Sequence, residues 1–353
     1  MTREFCTLFD SNYLFKAVAM YRSLVRYCPS FRLTAFCFDD RAKDALDQLA
    51  LPGLSTISLA ELEGFDAHLL STKGDRTPIE YCWTATPALP LFVLGTRPDV
   101  NEITYLDADL LFFSDPQALF DEMGDASTLI TPHRFAPEFF HHAINGIYNV
   151  QFLVFRRDER GLTTLQWWHD RCIEWCYYRL EDGKFGDQKY LDDWPDRFDG
   201  VHVLHHKGCG LAPWNITRYD VRDRAGQVFV DEDPLVFYHY HRVRLLADGG
   251  YDWRPPGYFI SAANRRFVYE PYLEALEEAK RIVWSVEPTF ASGLQPPPRL
   301  VERLRSARIR IATEVARRSR RARLLRSPEF GTSMAESRSH RREGQGSKSS
   351  ADA

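Results

Sequence analysis

"ITYLDADLLFFSDP", Ile103–Pro116, ends an apolar, β-branched run on two carboxylates one residue apart, Asp107 and Asp109. Carboxylates resist burial unless something compensates their charge. The pair therefore either faces open water or holds a cation. In an extended chain alternate side chains point the same way, which predicts one shared face for the two. Helix capping accounts for Asp115, which precedes Pro116 and "QALFDEM" in the order N-cap then N1 proline. It does not account for Asp107 and Asp109, which lead into the further apolar stretch "LLFF". Hard oxygen ligands of this kind suit Mn²⁺ or Mg²⁺.

The flanking sequence alternates strands and helices. "REFCTLFD" reads as a buried strand, and "YLFKAVAMYRSLVRY" as a helix with Leu14, Val18, Tyr21 and Val25 at helical spacing. "RLTAFCFDD" is a second strand, "RAKDALDQLA" a helix, and "LSTISL" a short strand. A proline-interrupted helical stretch, "PIEYCWTATPALPLFVLG", leads into the quoted segment. Beyond it come strands at "STLITP" and "VQFLVFRR", a helix from Thr163 to about Arg179, a short helix in "KFGDQKYLDDW", and late strands at "VHVLHH" and "PLVFYHYH". This alternation predicts a doubly wound α/β sheet, mostly parallel. The carboxylate pair then lies at the carboxyl end of a strand, where such folds bind ligands.

The 353 residues, 44% hydrophobic and 14% aromatic, suffice for a large core and one or two domains. No run approaches the ~18 apolar residues of a membrane span. The N-terminus, "MTREFCTLFD", moves straight into strand-like sequence without a signal-peptide pattern. The seven cysteines follow no framework spacing, which favours a reducing, cytoplasmic setting. Cys172 and Cys176, four apart, fit buried thiols on one helical face better than a metal pair.

Motifs in order along the chain carry a resemblance. "YLDADLLFFSDP" is similar to the Asp-x-Asp segment of GT-A glycosyltransferases, specifically family 8, the retaining group that includes glycogenin and bacterial lipopolysaccharide galactosyltransferases. "FDSNY" resembles that family's uracil-binding stretch, "YNVQFLVF" its Asn-Ala-Gly-Val strand, "GDQKYL" its Asp-Gln motif, and "HKGCGLAPW" its His-to-Pro-Trp segment. The resemblance spans roughly Phe5 to Trp214. It implies a GT-A (Rossmann-like nucleotide-diphospho-sugar transferase) fold. It also implies that Asp10 and Asn12 bind base and ribose, that Tyr13 stacks on the ring, and that Asp107, Asp109 and His206 hold the metal. Asp107, Asn149, Gln151 and Asp187 would surround the donor sugar, with Asp187, Gln188 and Asn149 as the catalytic group. Two departures concern the diphosphate: Ala212 stands where the family has Lys, and the family's Arg upstream of the Asp pair is absent, with Trp83-Thr84 in that region. Lys207, Arg242 and Arg244 are candidate replacements. Gln151 stands where glycine is usual.

Simpler readings compete. Asp187, after Gly186, suits an N-cap; Tyr13 suits core packing; His206 suits an ordinary strand end. The implied activity is metal-dependent retaining transfer of a hexose from a nucleotide-diphosphate sugar, expected to be a UDP-sugar, to a glycan or lipid-linked glycan. The alternatives are a catalytically silent binding protein on the same fold and a sugar-nucleotide nucleotidyltransferase. The latter would need a glycine-rich triphosphate loop, which "FDSNYLFKA" lacks.

Charge divides the chain unevenly. Arg299–Arg326 holds eleven arginines and two glutamates, or +9, in a chain of net charge −4, so the remainder carries −13. That acidic remainder argues against nucleic acid. Leu300, Leu304, Ala307, Ile311 and Val315 form one apolar stripe in the basic segment, as expected of a helix lying on an anionic membrane. Packing of the arm onto the catalytic domain is the alternative. The expected organisation is a catalytic domain over 1–290, a Pro-rich linker over 291–298, a basic amphipathic helical arm over 299–327 and a disordered tail over 328–353. The expected location is cytoplasmic, with peripheral attachment to the inner membrane face.

Overall fold

The computed structural model describes residues 2–254 and 257–299, together with 301, 302, 304–309, 311, 312 and 315. The expected tail over 328–353 lies outside the described residues. Among the described residues, one compact unit comprises 2–254 and 260–297; a second takes 257–259 and those from Pro298.

A seven-stranded sheet organises the first unit. Its strands are β1 (Arg3–Phe9), β2 (Phe31–Cys37), β3 (Leu54–Ser58), β4 (Glu102–Leu106), β6 (Thr128–Pro132), β7 (Tyr148–Arg156) and β8 (Val201–Val203), in the order β3-β2-β1-β4-β7-β6-β8. β7 runs antiparallel to both neighbours, β4 and β6, while the remaining pairings are parallel. The sheet is thus the expected α/β sheet, parallel-rich with one reversed strand. Near-continuous apolar runs in β1 and β7 follow from burial on both faces.

Helix α1 (Leu14–Tyr27) leaves β1 through "DSNY" and buries Leu14, Phe15, Val18 and Tyr21. It packs against a helix over Glu270–Val286, with Phe15 meeting Trp284 edge-on at 5.9 Å and Phe290 at 5.3 Å. That late helix was not among the expected elements. A separate core cluster holds Leu89, Val93, Leu165, Trp168 and Trp194. Helix α2 (Asp40–Leu49) begins at Asp39, whose Oδ1 accepts the Ala42 N–H at 2.8 Å.

Three local expectations change. The helix expected over Thr163–Arg179 spans Glu159–Glu174, because the Asp158 carboxylate accepts the Gly161 N–H at 2.8 Å and starts it a turn early. The Asp pair does not lie in a strand: β4 stops at Leu106, a turn carries Asp107–Asp109, and β5 (Leu110–Phe112) follows. Gln295 belongs to a short strand beside Leu246, its carbonyl accepting the Ala247 N–H at 2.8 Å, so ladder pairing continues into the proline-rich stretch.

The remaining strands are β9 (Val221–Arg224), β10 (Gln227–Val230), β11 (Asp233–Pro234) and β12 (Phe237–His239), followed by β13 (Arg244–Leu246), β14 (Tyr251–Asp252) and β15 (Leu294–Gln295). β12 pairs antiparallel with β5, setting His239 opposite Leu110. This pairing is anchored through Gly208, whose carbonyl accepts the Val236 N–H at 2.8 Å. A Cβ at Gly208 would fall 1.8 Å from the Pro234 carbonyl oxygen. Gly208→Ala is therefore expected to cost about 2–3 kcal/mol in urea denaturation. Gly64→Ala, in a helix where a Cβ meets nothing within 4 Å, should be neutral or slightly stabilising in the same measurement.

Candidate functional site

The turn after β4 and the last residue of β12 converge. His239 Nε2 lies 3.0 Å from Asp109 Oδ1 and 3.8 Å from Asp107 Oδ2. These three side chains form a group able to hold a metal ion, with ligand atoms within 4.8 Å of one another. Two carboxylates and one imidazole are a donor set that Mn²⁺ accepts. The carboxylates meet through the turn and through the β5–β12 pairing, not through the pleat of one strand.

Neighbouring groups orient the set. His239 Nδ1 lies 2.8 Å from Gln151 Oε1, which can only accept, so Nδ1 carries the hydrogen and Nε2 faces the carboxylates. The Asp107 N–H donates to the Gln151 carbonyl at 3.0 Å, and the Tyr105 hydroxyl donates to Asp107 Oδ1 at 2.9 Å. Gln151, absent from the family pattern, thus aims the imidazole. Gly210, at φ +77°, leaves room for it: a Cβ there would come within 3.0 Å of Gln151 Nε2 and 2.6 Å of Thr131 Cγ2.

Burial and mutual charge split the acids. Burial pushes the Asp107 carboxyl up to about 6, against the pull of His239. Burial would lift Asp109 too, but His239 and Lys16 hold it well below the usual carboxylate range. Burial alone would depress His239, yet the Asp109 and Asp107 charges raise it. Asp187 is lifted to about 7 by burial, with the Asp107 charge adding to it.

Asp187 does not cap. It stands at the start of a 3₁₀ turn, Gln188–Asp193, without a side-chain cap hydrogen bond, and its buried Oδ2 has no partner among the described residues. Its backbone carbonyl accepts the Trp168 indole N–H at 2.9 Å, which fixes the position. Tyr13 is not a core residue either: it is 41% exposed, with the Lys16 ammonium 4.1 Å from its ring centroid. The preceding loop is tied at both ends. Asp10 accepts the Asn12 N–H at 3.0 Å and its Nδ2 at 2.8 Å, and Asp39 accepts the Ser11 N–H at 2.8 Å.

Other expected site residues are placed differently. His206 is not in the Asp107–Asp109 group; its N–H donates to Glu122 Oε2 at 2.9 Å, and its Nδ1 accepts from Gly208 N–H at 3.2 Å. Glu122 also receives His202 Nε2 at 2.9 Å, and this carboxylate draws the histidine-rich exit of β8 to itself. Asn149 is buried with both ends of its amide engaged, Nδ2 at 2.9 Å from His133 Nε2 and Oδ1 accepting the Gln151 N–H at 2.8 Å. That leaves it bracing Gln151. Gln188 donates to the Asn145 carbonyl at 3.0 Å and so holds the Phe- and His-rich segment. Lys207 is an exposed partner of Asp231 at 2.9 Å, and Arg244 pairs with Asp252. Cys172 and Cys176 are fully buried free thiols.

His239, Asp39 and Lys16 stand outside the motifs legible in the sequence. Spacing to Pro-Trp favours His206, while His239 and His241 fall within the late strand-like stretch "PLVFYHYH". Their alternation one residue apart, mirroring Asp107 and Asp109, was the available signal.

No family model matches the chain. It is 33% identical over 298 residues to uncharacterized protein YfnD of Bacillus subtilis (strain 168), covering 84% of this chain and 95% of that protein. It is 30% identical over 298 residues to uncharacterized protein YfnF of the same organism, covering 82% and 97%. The chain belongs to the family of YfnD and YfnF. Among solved structures it is similar to the galactosyltransferase LgtC in complex with donor and acceptor sugar analogs, with TM-score 0.49 and 14% identity over 78% of this chain and 95% of that one. It is also similar to mouse xyloside xylosyltransferase 1, with TM-score 0.43 and 14% identity over 69% and 98%.

The geometry ranks the candidate ligands for a divalent ion, testable by mutation. In calorimetric Mn²⁺ titrations at pH 7.5, His239→Ala should abolish binding, Gln151→Ala should weaken it about 10–100-fold, and His206→Ala should leave it unchanged. Protons on Asp107 and His239 compete with the cation. Both carry raised pKa values, so affinity should climb as pH rises from 5.5 to 7.5, with proton release on binding.

Proposed function

We propose that this chain is a metal-dependent retaining glycosyltransferase that moves a hexose from a nucleotide-diphosphate sugar, a UDP-sugar, to a glycan or lipid-linked glycan. The observation that carries the reading is the convergence of Asp107, Asp109 and His239 beyond the end of β4, with the Asp107 charge acting on the buried Asp187 carboxyl, whose Oδ2 has no partner among the described residues. A divalent cation held by those three would act as a Lewis acid on the departing diphosphate. The rest of the work falls to side chains of this chain. Tyr13 offers a ring beside the loop of Asp10 and Asn12, suited to stacking a base. Asp187, ionised once positive charge lowers its pKa, is suited to stabilise oxocarbenium-like charge or to act as nucleophile. Gln151 and Asn149 keep the His239 imidazole aimed.

The test is release of UDP from a panel of UDP-sugars with Mn²⁺, with the anomeric outcome followed by NMR. The wild-type chain should turn over at least one donor. Asp109→Asn should lose turnover and Mn²⁺-dependent UDP binding while keeping its circular dichroism spectrum. UDP-sugar binding without release would favour a silent binding protein. Consumption of a nucleoside triphosphate with a sugar phosphate would favour a nucleotidyltransferase.

We further propose that the arm from Arg299 docks on anionic membrane. No helix among the described residues is long and apolar enough to cross a membrane. The described arm residues 301, 302, 304–309, 311, 312 and 315 are helical, and Val301, Leu304, Ile309, Ile311 and Val315 are exposed. Basic residues near such a surface contribute about 1 kcal/mol each. A chain ending at Pro298 should stay folded but lose co-sedimentation with anionic vesicles. Binding of the full chain should weaken steeply with salt; vesicle binding by the truncated chain would overturn the assignment.

A further inference from the structure

Lys16 is an expensive residue where it stands. It lies in the first turn of α1, where the helix dipole disfavours a cation, and only 7% of it is exposed. An ammonium offers three donors. This one has no acceptor within hydrogen-bond distance among the described residues; its nearest charge is Asp109 Oδ2, at 3.8 Å. Its other neighbour is the face of the Tyr13 ring, 4.1 Å away. Burial depresses its pKa, and Asp109 and Asp10 only partly offset this. A buried cation so poorly paired destabilises a fold unless a ligand completes its shell.

The anion at hand is already committed. A divalent ion at Asp107, Asp109 and His239 would take the carboxylate that now faces Lys16, leaving two like charges side by side. The ammonium then needs an anion on the open side of Tyr13. Lys207 and Arg244 are engaged with Asp231 and Asp252, and the position before Pro213 is Ala212. Resting on the nucleotide-sugar reading above, we propose that Lys16 is a resident counter-cation. It neutralises Asp109 before the divalent ion arrives, then turns to the donor's diphosphate once that ion holds Asp109.

Such an exchange gives opposite signs in two titrations. Lys16→Met should bind Mn²⁺ alone about threefold or more tightly than wild type, because a competing charge is gone. With Mn²⁺ saturating, the same variant should bind UDP about 10–100-fold more weakly, as expected for losing hydrogen bonds to a charged group. Uridine affinity should not change, and Lys16→Arg should recover much of the UDP affinity. A purely structural lysine would lower all three affinities together. Should Lys16→Met fail to fold, reductive methylation of the wild-type chain reads the same exchange by mass spectrometry. Lys16 labelling should rise with Mn²⁺ and fall when UDP is added, with uridine giving no protection. Equal UDP affinity in wild type and Lys16→Met, loss of UDP binding in Arg242→Met instead, or unchanged labelling would overturn the proposal. Wild-type protein that binds Mn²⁺ but no UDP would overturn the nucleotide reading as well.

Discussion

Placing a buried carboxylate beside a half-buried one is the constraint around which the centre of this molecule is arranged. Asp109 is 6% exposed and close to Asp107, so the protein must supply positive charge or leave a proton behind. It does both. His239 and Lys16 keep Asp109 ionised, while Asp107, with less help, holds its proton to about pH 6. The charges at the centre are therefore balanced by protons and by the chain's own cations, and the site is not an empty anionic hole.

That balance depends on backbone register. β12 must pair with β5 so that His239 lies opposite Leu110, and the Tyr240 N–H donates to the Asp109 carbonyl at 3.0 Å in the same ladder. The stretch from Gly208 to Leu211 threads beside these strands. The Leu211 carbonyl accepts the His239 N–H at 2.8 Å, and Asn215 closes the following turn by accepting the Ala212 N–H at 2.9 Å. Gly208 and Gly210 are needed because other chain passes within contact distance of both. The segment that resembles a metal-ligand motif thus acts as a brace for the strand carrying the histidine.

The loop between β1 and α1 follows the same economy. Gly293, at φ +79°, would place a Cβ 2.2 Å from the Asn12 carbonyl, so the chain after Phe290 packs closely on the loop between β1 and α1. Gly293 also donates its N–H to Asn12 Oδ1 at 3.2 Å. The loop is therefore fixed by Asp39 from one side and by residues near the end of the compact unit from the other. A preformed loop of this kind lowers the entropy cost of ordering a ligand against it.

Local chemistry was enough to read β1, α1, β2, α2 and β3, because their apolar periodicity and caps act within a few residues. It was enough, too, to single out Asp107 and Asp109, since paired carboxylates at the end of an apolar run need a reason, whereas Asp187 stood out only through the resemblance of "GDQKYL" to a family motif. It did not reveal the helix over Glu270–Val286 or the reversed direction of β7. Nor did it reveal the partner of the Asp pair. His206 and His239 look equally suitable in one dimension, each near the end of an apolar run. The choice between them is made by Glu122, which captures the backbone of His205 and His206, and by the pairing of β5 with β12. Sequence fixes which groups could bear charge; which charges meet depends on hydrogen-bonded register between segments more than a hundred residues apart.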